Sequence, residues 1–303
     1  MYFLISINLK NEVKPDICNK NIMKKLNLLF NILLGILLLM SCEDDNDGEM
    51  FIFTASLDDA IANSEFVEIL NLNNQQITEL PENIGILTNM REFYADANLL
   101  VNLPESIGEL SSLEFLSIED NQLINIPSTI GNIITLEVLW LSENELETIP
   151  ETIGNLQSLE RLILFSNNLN DLPETITNLE QIKFLNLGIN QLSSLPNNIG
   201  DLNGLIELRV FDNQLESLPE SIGNLTNLSE LSLSDNQLTS IPESIGNLTN
   251  LTELYLSGNP LTSLPESISN LTNLRELYLF DTDLSIQQIE ELEGILPNCD
   301  IQF

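Results

Sequence analysis

Apolar residues recur along this chain in one arrangement that repeats every 23 residues, from about residue 67 to residue 284. Each unit contains the spacing L-x-x-L-x-L, as at Leu136, Leu139 and Leu141. Alternation around the second and third leucines predicts a short strand, because successive side chains of a strand point to opposite faces. Ten units therefore predict ten parallel strands, about 4.8 Å apart, in one curved sheet.

The second half of each unit predicts a short helical turn that returns along the opposite, convex side. A proline opens it, at 81, 104, 127, 150, 173, 196, 219, 242 and 265. Proline fixes φ near −65° and suits the start of such a turn. Glutamate follows the proline in most units, and a carboxylate there favours the positive end of the turn. We prefer this role to a cation-binding stripe, since calcium needs oxygens that converge from several directions.

A column of asparagines marks the end of each predicted strand. The amide can satisfy backbone groups where regular strand pairing stops. Repeated at every level, these amides predict a structural ladder. Its members are Asn98, Asn121, Asn144, Asn167, Asn190, Asn213, Asn236 and Asn259.

These motifs resemble the leucine-rich repeats of the 23-residue class L-x-x-L-x-L-x-x-N-x-L-x-x-L-P-x-x-I-x-x-L. The resemblance implies an α/β solenoid with a concave parallel β-sheet and short helical or 3-10 turns on the convex side. The family as a whole binds proteins or other ligands through the concave sheet, so the resemblance specifies the fold far better than the function.

The domain organisation follows from where the repeats begin and end. A short helix near Leu57 to Ala62 is expected before them, and Ser285 with Gln288 predicts a capping box that opens a second helix. The predicted segments are an upstream extension from a misassigned start (1–22), a signal peptide (23–41), an acidic disordered tether (42–50), an N-terminal cap (51–66), ten repeats (67–284) and a C-terminal cap (285–303).

The segment from Met23 to Cys42 predicts a lipoprotein leader. Two lysines precede an apolar run that is shorter than a bilayer-spanning helix, although a retained membrane anchor is the alternative. The ending Leu39-Met40-Ser41-Cys42 resembles the lipobox of bacterial lipoproteins, which implies that the thiol of Cys42 is lipidated. The acidic residues after it resemble the surface-export signal of Bacteroidetes lipoproteins. The resemblance implies a lipid anchor in the bacterial outer membrane, at the cell surface.

Charge and residue usage exclude several classes of function. The formal net charge is −36, and only five basic residues, against 44 acidic ones, follow Cys42. Such a surface repels nucleic acid phosphates, so no nucleic acid partner is expected. The sequence has no histidine, the commonest general base and metal ligand. We expect no metal, no cofactor and no catalytic residue, and a monomer.

The variable strand positions predict where a ligand binds. Side chains at the x positions of the strand motif point from the concave sheet to solvent, and all five basic residues after Cys42 are assigned to such positions. Exposed aromatics and arginine often mark interfaces. The predicted apolar and cationic patch consists of Trp140, Arg161, Ile163, Phe165, Ile189, Arg209 and Phe211. The alternative is that these side chains only decorate the sheet and neutralise nearby carboxylates.

The preferred function is a non-catalytic module that recognises a protein or glycan ligand through its concave face. One alternative is a structural or adhesive surface protein without a discrete site. Another is a glycan-acting enzyme that uses carboxylates, for which Asp96, Glu119, Asp120 and Glu143 are the candidates.

Overall fold

The computed structural model describes residues 40–43, 50–54 and 56–303. Their strands form a single 13-stranded sheet in chain order. The first two strands are antiparallel, and every later neighbour pairs in parallel. The strands are β1 (Met40–Glu43), β2 (Met50–Thr54), β3 (Val67–Asn71), β4 (Glu92–Tyr94), β5 (Phe115–Ser117), β6 (Val138–Trp140), β7 (Arg161–Ile163), β8 (Phe184–Asn186), β9 (Glu207–Arg209), β10 (Glu230–Ser232), β11 (Glu253–Tyr255), β12 (Glu276–Tyr278) and β13 (Asp300–Gln302).

The expected solenoid is confirmed by the register of the parallel strands. Leu116, Leu139 and Leu162 are Cα partners on successive strands, so each repeat stacks on the next without a shift. All three leucines are buried. The core is therefore a strip of aliphatic side chains that runs the length of the sheet, as expected when each repeat buries its apolar face against its neighbours.

Short 3-10 helices occupy the side opposite the sheet in nine of the ten repeats. They span Glu82–Ile86, Glu105–Glu109, Ser128–Asn132, Glu151–Asn155, Glu174–Asn178, Ile199–Asp201, Glu220–Asn224, Glu243–Asn247 and Glu266–Asn270. In the repeat of Pro150, the Ile153 N–H donates to the proline carbonyl at 3.0 Å. A Cβ on Gly154 would overlap the Thr175 carbonyl of the next repeat, so glycine lets adjacent turns approach closely.

Glutamates after the proline contact the next repeat. Glu243 accepts a hydrogen bond from the Ser267 N–H at 3.1 Å, and Glu151 accepts one from the Thr175 hydroxyl at 2.9 Å. Ser267 lies in the first turn of a 3-10 helix, so the Glu243 carboxylate stabilises the positive end of that turn. The described residues contain no group of three or more acidic, cysteine or histidine side chains that could hold a metal ion.

Helices flank the repeats at the expected residues. Helix α1 (Leu57–Ala62) begins after Ser56, whose side chain accepts from the Asp59 N–H. Helix α2 (Ile286–Ile295) begins with the capping box of Ser285 and Gln288. Beyond α2, Cys299 packs against the core, and burial raises the pKa of its thiol to about 11.

Much of the predicted leader lies outside the described residues: 1–22, 23–39 of the signal peptide, and 44–49 of the tether. Cys42, the predicted lipidation site, lies in β1. No helix in the described part of the chain is both long and apolar enough to cross a membrane.

Candidate binding surface

The asparagine column fixes the edge of the concave sheet. In Asn144, the amide nitrogen donates to the carbonyls of Ile118 at 2.8 Å and Leu141 at 3.2 Å, while its oxygen accepts from the Leu123 N–H at 3.0 Å. All eight asparagines are buried, and each makes the corresponding bonds to the preceding repeat. These bonds satisfy backbone groups where strand pairing ends, so the surface beside them has a fixed backbone.

Side chains of each repeat strand alternate between core and concave surface. The middle residue is buried, whereas in most strands the first and third are partly exposed. We call the first residues of the strands the first row and the third residues the second row. The third row consists of the residues two positions after the second row. Sequence reasoning considered the second and third rows and took only Arg161 from the first. The first row contains Glu92, Phe115, Val138, Arg161, Phe184, Glu207, Glu230, Glu253 and Glu276.

Aromatic rings from the first and second rows form a continuous group at the N-terminal end, which we call the Trp140 group. The ring centroids of Tyr94 and Phe115 are 4.9 Å apart, and those of Phe115 and Trp140 are 5.0 Å apart in an edge-to-face arrangement. The predicted residue Trp140 therefore packs on Phe115, which sequence reasoning missed because it lies in the first row. Ile163 is the Cα partner of Trp140 on the next strand.

A second aromatic pair lies further along the sheet, in the third row. Phe165 and Phe211 have ring centroids 6.0 Å apart. The repeat between them contributes Gly188, and a Cβ there would lie 2.5 Å from the Phe211 ring. Ile189 follows this glycine and is exposed. The structure therefore brings three of the predicted residues together at this place: Phe165, Ile189 and Phe211.

The two predicted arginines are both engaged with neighbours. The Arg161 guanidinium lies 3.8 Å from the centroid of the Phe184 ring, a cation–π contact with another first-row residue that sequence reasoning missed. Arg209 pairs with Glu230 at 2.7 Å and with Glu207 at 3.2 Å. Its hydrogen bond to Glu230 raises the pKa of the guanidinium. The structure therefore shows that Arg209 neutralises neighbouring carboxylates.

Of the five basic residues at x positions of the motif, Arg161 and Arg209 lie within strands. Arg91, Lys183 and Arg275 each immediately precede a strand. Arg91 pairs with Glu114, and Lys183 pairs with Glu160, its counterpart one repeat earlier. The two cations of the predicted patch, Arg161 and Arg209, both lie in strands, and Arg209 is paired with Glu207 and Glu230.

Tyrosines and carboxylates occupy the C-terminal part of the surface. The rings of Tyr255 and Tyr278 stack with centroids 4.7 Å apart and planes 9° apart. Their hydroxyls donate to Glu253 and Glu276 at 2.7 and 2.8 Å. Burial, followed by the hydrogen bond to Glu253, raises the pKa of Tyr255. Each hydroxyl is thus held by a carboxylate of its own strand.

The carboxylates considered for catalysis have structural contacts. One oxygen of Asp96 accepts from the Ser117 hydroxyl at 2.6 Å and from the Glu119 N–H at 2.9 Å, while Asn73 donates to the other at 3.0 Å. Asp96 therefore ties together three successive repeats. Burial raises the pKa of Glu119, against a lowering hydrogen bond from Ser142. Asp120 and Glu143 are exposed, in left-handed backbone conformations.

Comparison with protein families gives a match to the leucine-rich repeat region over residues 125–216 and 208–296. No curated protein matches the chain. Among solved structures, the Arabidopsis receptor kinase HAESA, in complex with the peptide hormone IDA and the co-receptor SERK1, is 30% identical with a TM-score of 0.66. That match covers 80% of this chain and 42% of the receptor, so the chain spans less than half the receptor's length.

Two bacterial structures are also similar. An internalin from Listeria monocytogenes is 21% identical with a TM-score of 0.65, over 84% of this chain and 79% of that one, which supports the fold alone. A leucine-rich repeat protein from Leptospira interrogans is 31% identical with a TM-score of 0.41, over 78% of this chain and 84% of that one.

Proposed function

Because the chain belongs to the leucine-rich repeat family, we propose that it is a non-catalytic module that binds a protein through its concave face. The proposal extends to where the module acts: at a bacterial cell surface, held in the outer membrane by lipid on Cys42. The family is commonly built for protein recognition, and its activity resides in the exposed residues of the sheet, not in the repeated scaffold.

The observation that carries this proposal is the aromatic content of the concave surface. The Trp140 group and the Phe165–Phe211 pair place five partly exposed rings on one face of a strongly acidic chain. Aromatic side chains that are grouped and partly exposed are typical of interface hot spots. The peptide-bound state of the similar plant receptor supports a protein or peptide ligand over a glycan.

Two features of the surface support binding over catalysis. Asp96 accepts hydrogen bonds at both carboxylate oxygens, which leaves it poorly suited to act as a nucleophile or base. An open depression of about 620 Å³ lies beside the 3-10 turns, away from the aromatic rings. It is lined by Gly154, Asn155, Gln157, Thr177, Asn178, Glu180, Asp201 and Asn203.

A surface-binding experiment tests the function. Purified full-length protein is titrated against a library of purified bacterial and host surface proteins, and saturable binders are retested with Trp140→Ala/Phe165→Ala. We expect that variant to fold and to lose binding. The control is Ile134→Ala, which removes an exposed apolar side chain beyond the 3-10 turn of its repeat and should leave binding unchanged. Equal binding by the aromatic variant would contradict the proposal, and so would hydrolysis of a polysaccharide that Glu119→Gln abolishes.

The lipid anchor has its own test. Mass spectrometry of the membrane-extracted protein should find an acylated Cys42 as the first residue, and Cys42→Ser should release the protein from the membrane fraction. An unmodified Cys42, or an intact chain that still carries Met1, would contradict the anchor. Salt-dependent cell aggregation in the absence of any saturable binder would instead favour the adhesive role.

A further inference from the structure

In every described repeat the backbone is left-handed just before the ladder asparagine or its counterparts Gln75 and Thr282. We call these positions the left-handed row. It consists of Asn74, Ala97, Asp120, Glu143, Ser166, Ile189, Asp212, Asp235, Gly258 and Asp281, all with φ between 52° and 68°. Glycine, aspartate and asparagine tolerate this conformation best. The fold therefore restricts which residue types are acceptable at these positions.

Ile189 departs from that restriction. It is the β-branched member of the row, at φ 52°, where its Cβ crowds the following carbonyl. Its side chain remains 38% exposed, so burial in the core does not account for its presence. Residues held in such a conformation at a loss of stability are concentrated at functional sites.

Ile189 adjoins the aromatic pair through the backbone, by a bond that equivalent residues of the row also make. Its N–H donates to the Phe211 carbonyl at 2.9 Å, and Phe211 lies over Gly188 to reach Phe165. We name Phe165, Ile189 and Phe211 the apolar platform. It lies at one edge of the sheet, where the chain leaves the strands.

Exposed carboxylates flank the apolar platform within the left-handed row. Asp212 and Asp235 follow Ile189 along the solenoid axis, and Glu143 and Asp120 precede it beyond Ser166. The ion pairs in the described part of the chain involve Glu114, Glu160, Glu207 and Glu230. None of them involves the four flanking carboxylates of the left-handed row. A partner that covers the platform therefore meets unneutralised negative charge on both sides.

We propose that the apolar platform receives one apolar side chain from an extended segment of a protein partner, with lysine or arginine on both sides of that side chain. The inference rests on the proposed function and names its ligand chemistry. Neighbouring strands are about 4.8 Å apart, and an extended chain advances about 3.3 Å per residue. Asp235 and Glu143 each lie two repeats, and so two strand spacings, from Ile189. A partner segment that runs along the solenoid axis would therefore carry its basic residues roughly three positions before and after its apolar residue.

Selection from a random dodecapeptide phage library against the immobilised full-length protein tests this ligand chemistry. Enriched peptides should carry an apolar residue with lysine or arginine on both sides, and Ile189→Asn should weaken their binding about tenfold or more. Enrichment of peptides without basic residues, binding unchanged by Ile189→Asn, or no enrichment at all would overturn the inference.

A stability measurement separates the role of Ile189 in binding from a role in the fold. Because asparagine tolerates the left-handed conformation, Ile189→Asn should have an unfolding equilibrium constant about tenfold smaller than the wild type. The control Ala97→Asn makes the same change in the row, far from the platform, and should leave peptide binding unchanged. A less stable Ile189→Asn protein would mean that the isoleucine is structural.

The outcomes also distinguish this inference from the proposed function. If Trp140→Ala/Phe165→Ala abolishes capture of a surface protein while Ile189→Asn does not, the concave face binds a partner but the platform does not receive it. If neither variant changes capture, the proposed function itself fails.

Discussion

Phe165 and Phe211 belong to repeats that are two strands apart, yet their ring centroids lie only 6.0 Å from each other. Two strand spacings would separate equivalent atoms by roughly 10 Å. The rings approach because the position between them is Gly188, over which Phe211 lies. The apolar platform therefore depends on the lack of a side chain at Gly188 as much as on the two phenylalanines.

Gly188→Ala should separate the two rings without unfolding the protein. The new Cβ would lie 2.5 Å from the Phe211 ring, which is partly exposed and free to move outward. We expect the NMR contact between the Phe165 and Phe211 rings to be lost, with a change in stability of about 1 kcal/mol or less. A retained ring contact would show that Phe211 is not held by the space above Gly188. Phe211→Leu is the control that removes the ring and keeps the glycine.

The asparagine ladder predicts a large loss of stability from a single buried amide. Asn190→Ala removes the acceptor of the Leu169 N–H and the donor to the carbonyls of Leu164 and Leu187. Leaving buried backbone groups unpaired should destabilise the protein by about 1–3 kcal/mol, measured by urea unfolding. The matched control is Asn170→Ala, an exposed asparagine that donates at 3.3 Å to the Asn168 carbonyl. Its cost should be within about 0.5 kcal/mol of zero.

Much of this architecture is predictable from the sequence because the repeat fixes the phase of every position. The strand around Leu139, the turn after Pro150, the capping box of Ser285 and the helix at Leu57–Ala62 all lie at the expected residues. In each case a local rule acts: alternation for strands, fixed φ for proline and side-chain caps for helices.

The binding surface was less predictable because it depends on which residues meet across repeats. Phe115 and Phe184 could have been found from sequence, since alternation around Leu116 and Leu185 places them on the concave face. The pairing of Arg209 with Glu230, 21 residues later, needed the strand register. The left-handed conformation of Ile189 contradicts its own residue preference, so no local rule predicts it.

The raised pKa of Glu119 predicts a stability change that depends on pH. Because burial raises the pKa of this carboxyl in the folded state, the folded protein holds the proton more tightly than the unfolded chain does. The contribution of this carboxyl to the free energy of unfolding is therefore fully present below the ordinary carboxyl pKa. It is lost as the pH rises through the pKa of the carboxyl in the folded state. Glu119→Gln should therefore gain stability relative to the wild type as the pH rises above the ordinary carboxyl pKa. Urea midpoints measure the difference.

The control for this pH effect is Glu145→Gln, which removes one negative charge at an exposed position. It reports how much of any gain comes from lowering the net charge of −36 alone. If both variants gain equally, the burial of Glu119 is not the cause.

Trp140 is the only tryptophan in the chain, so its fluorescence reports on the Trp140 group without interference. The edge of one ring meets the face of the other in the Phe115–Trp140 pair, and the Phe115 ring also lies 4.9 Å from that of Tyr94. Phe115→Ala should expose the indole to water and shift its emission to longer wavelength, with a loss of about 1–2 kcal/mol in the free energy of unfolding. Phe211→Ala should leave the emission unchanged, because that ring belongs to the separate apolar platform. A shift in both variants would mean that the aromatic residues form one continuous patch, as the sequence predicts, and not the two groups seen in the structure.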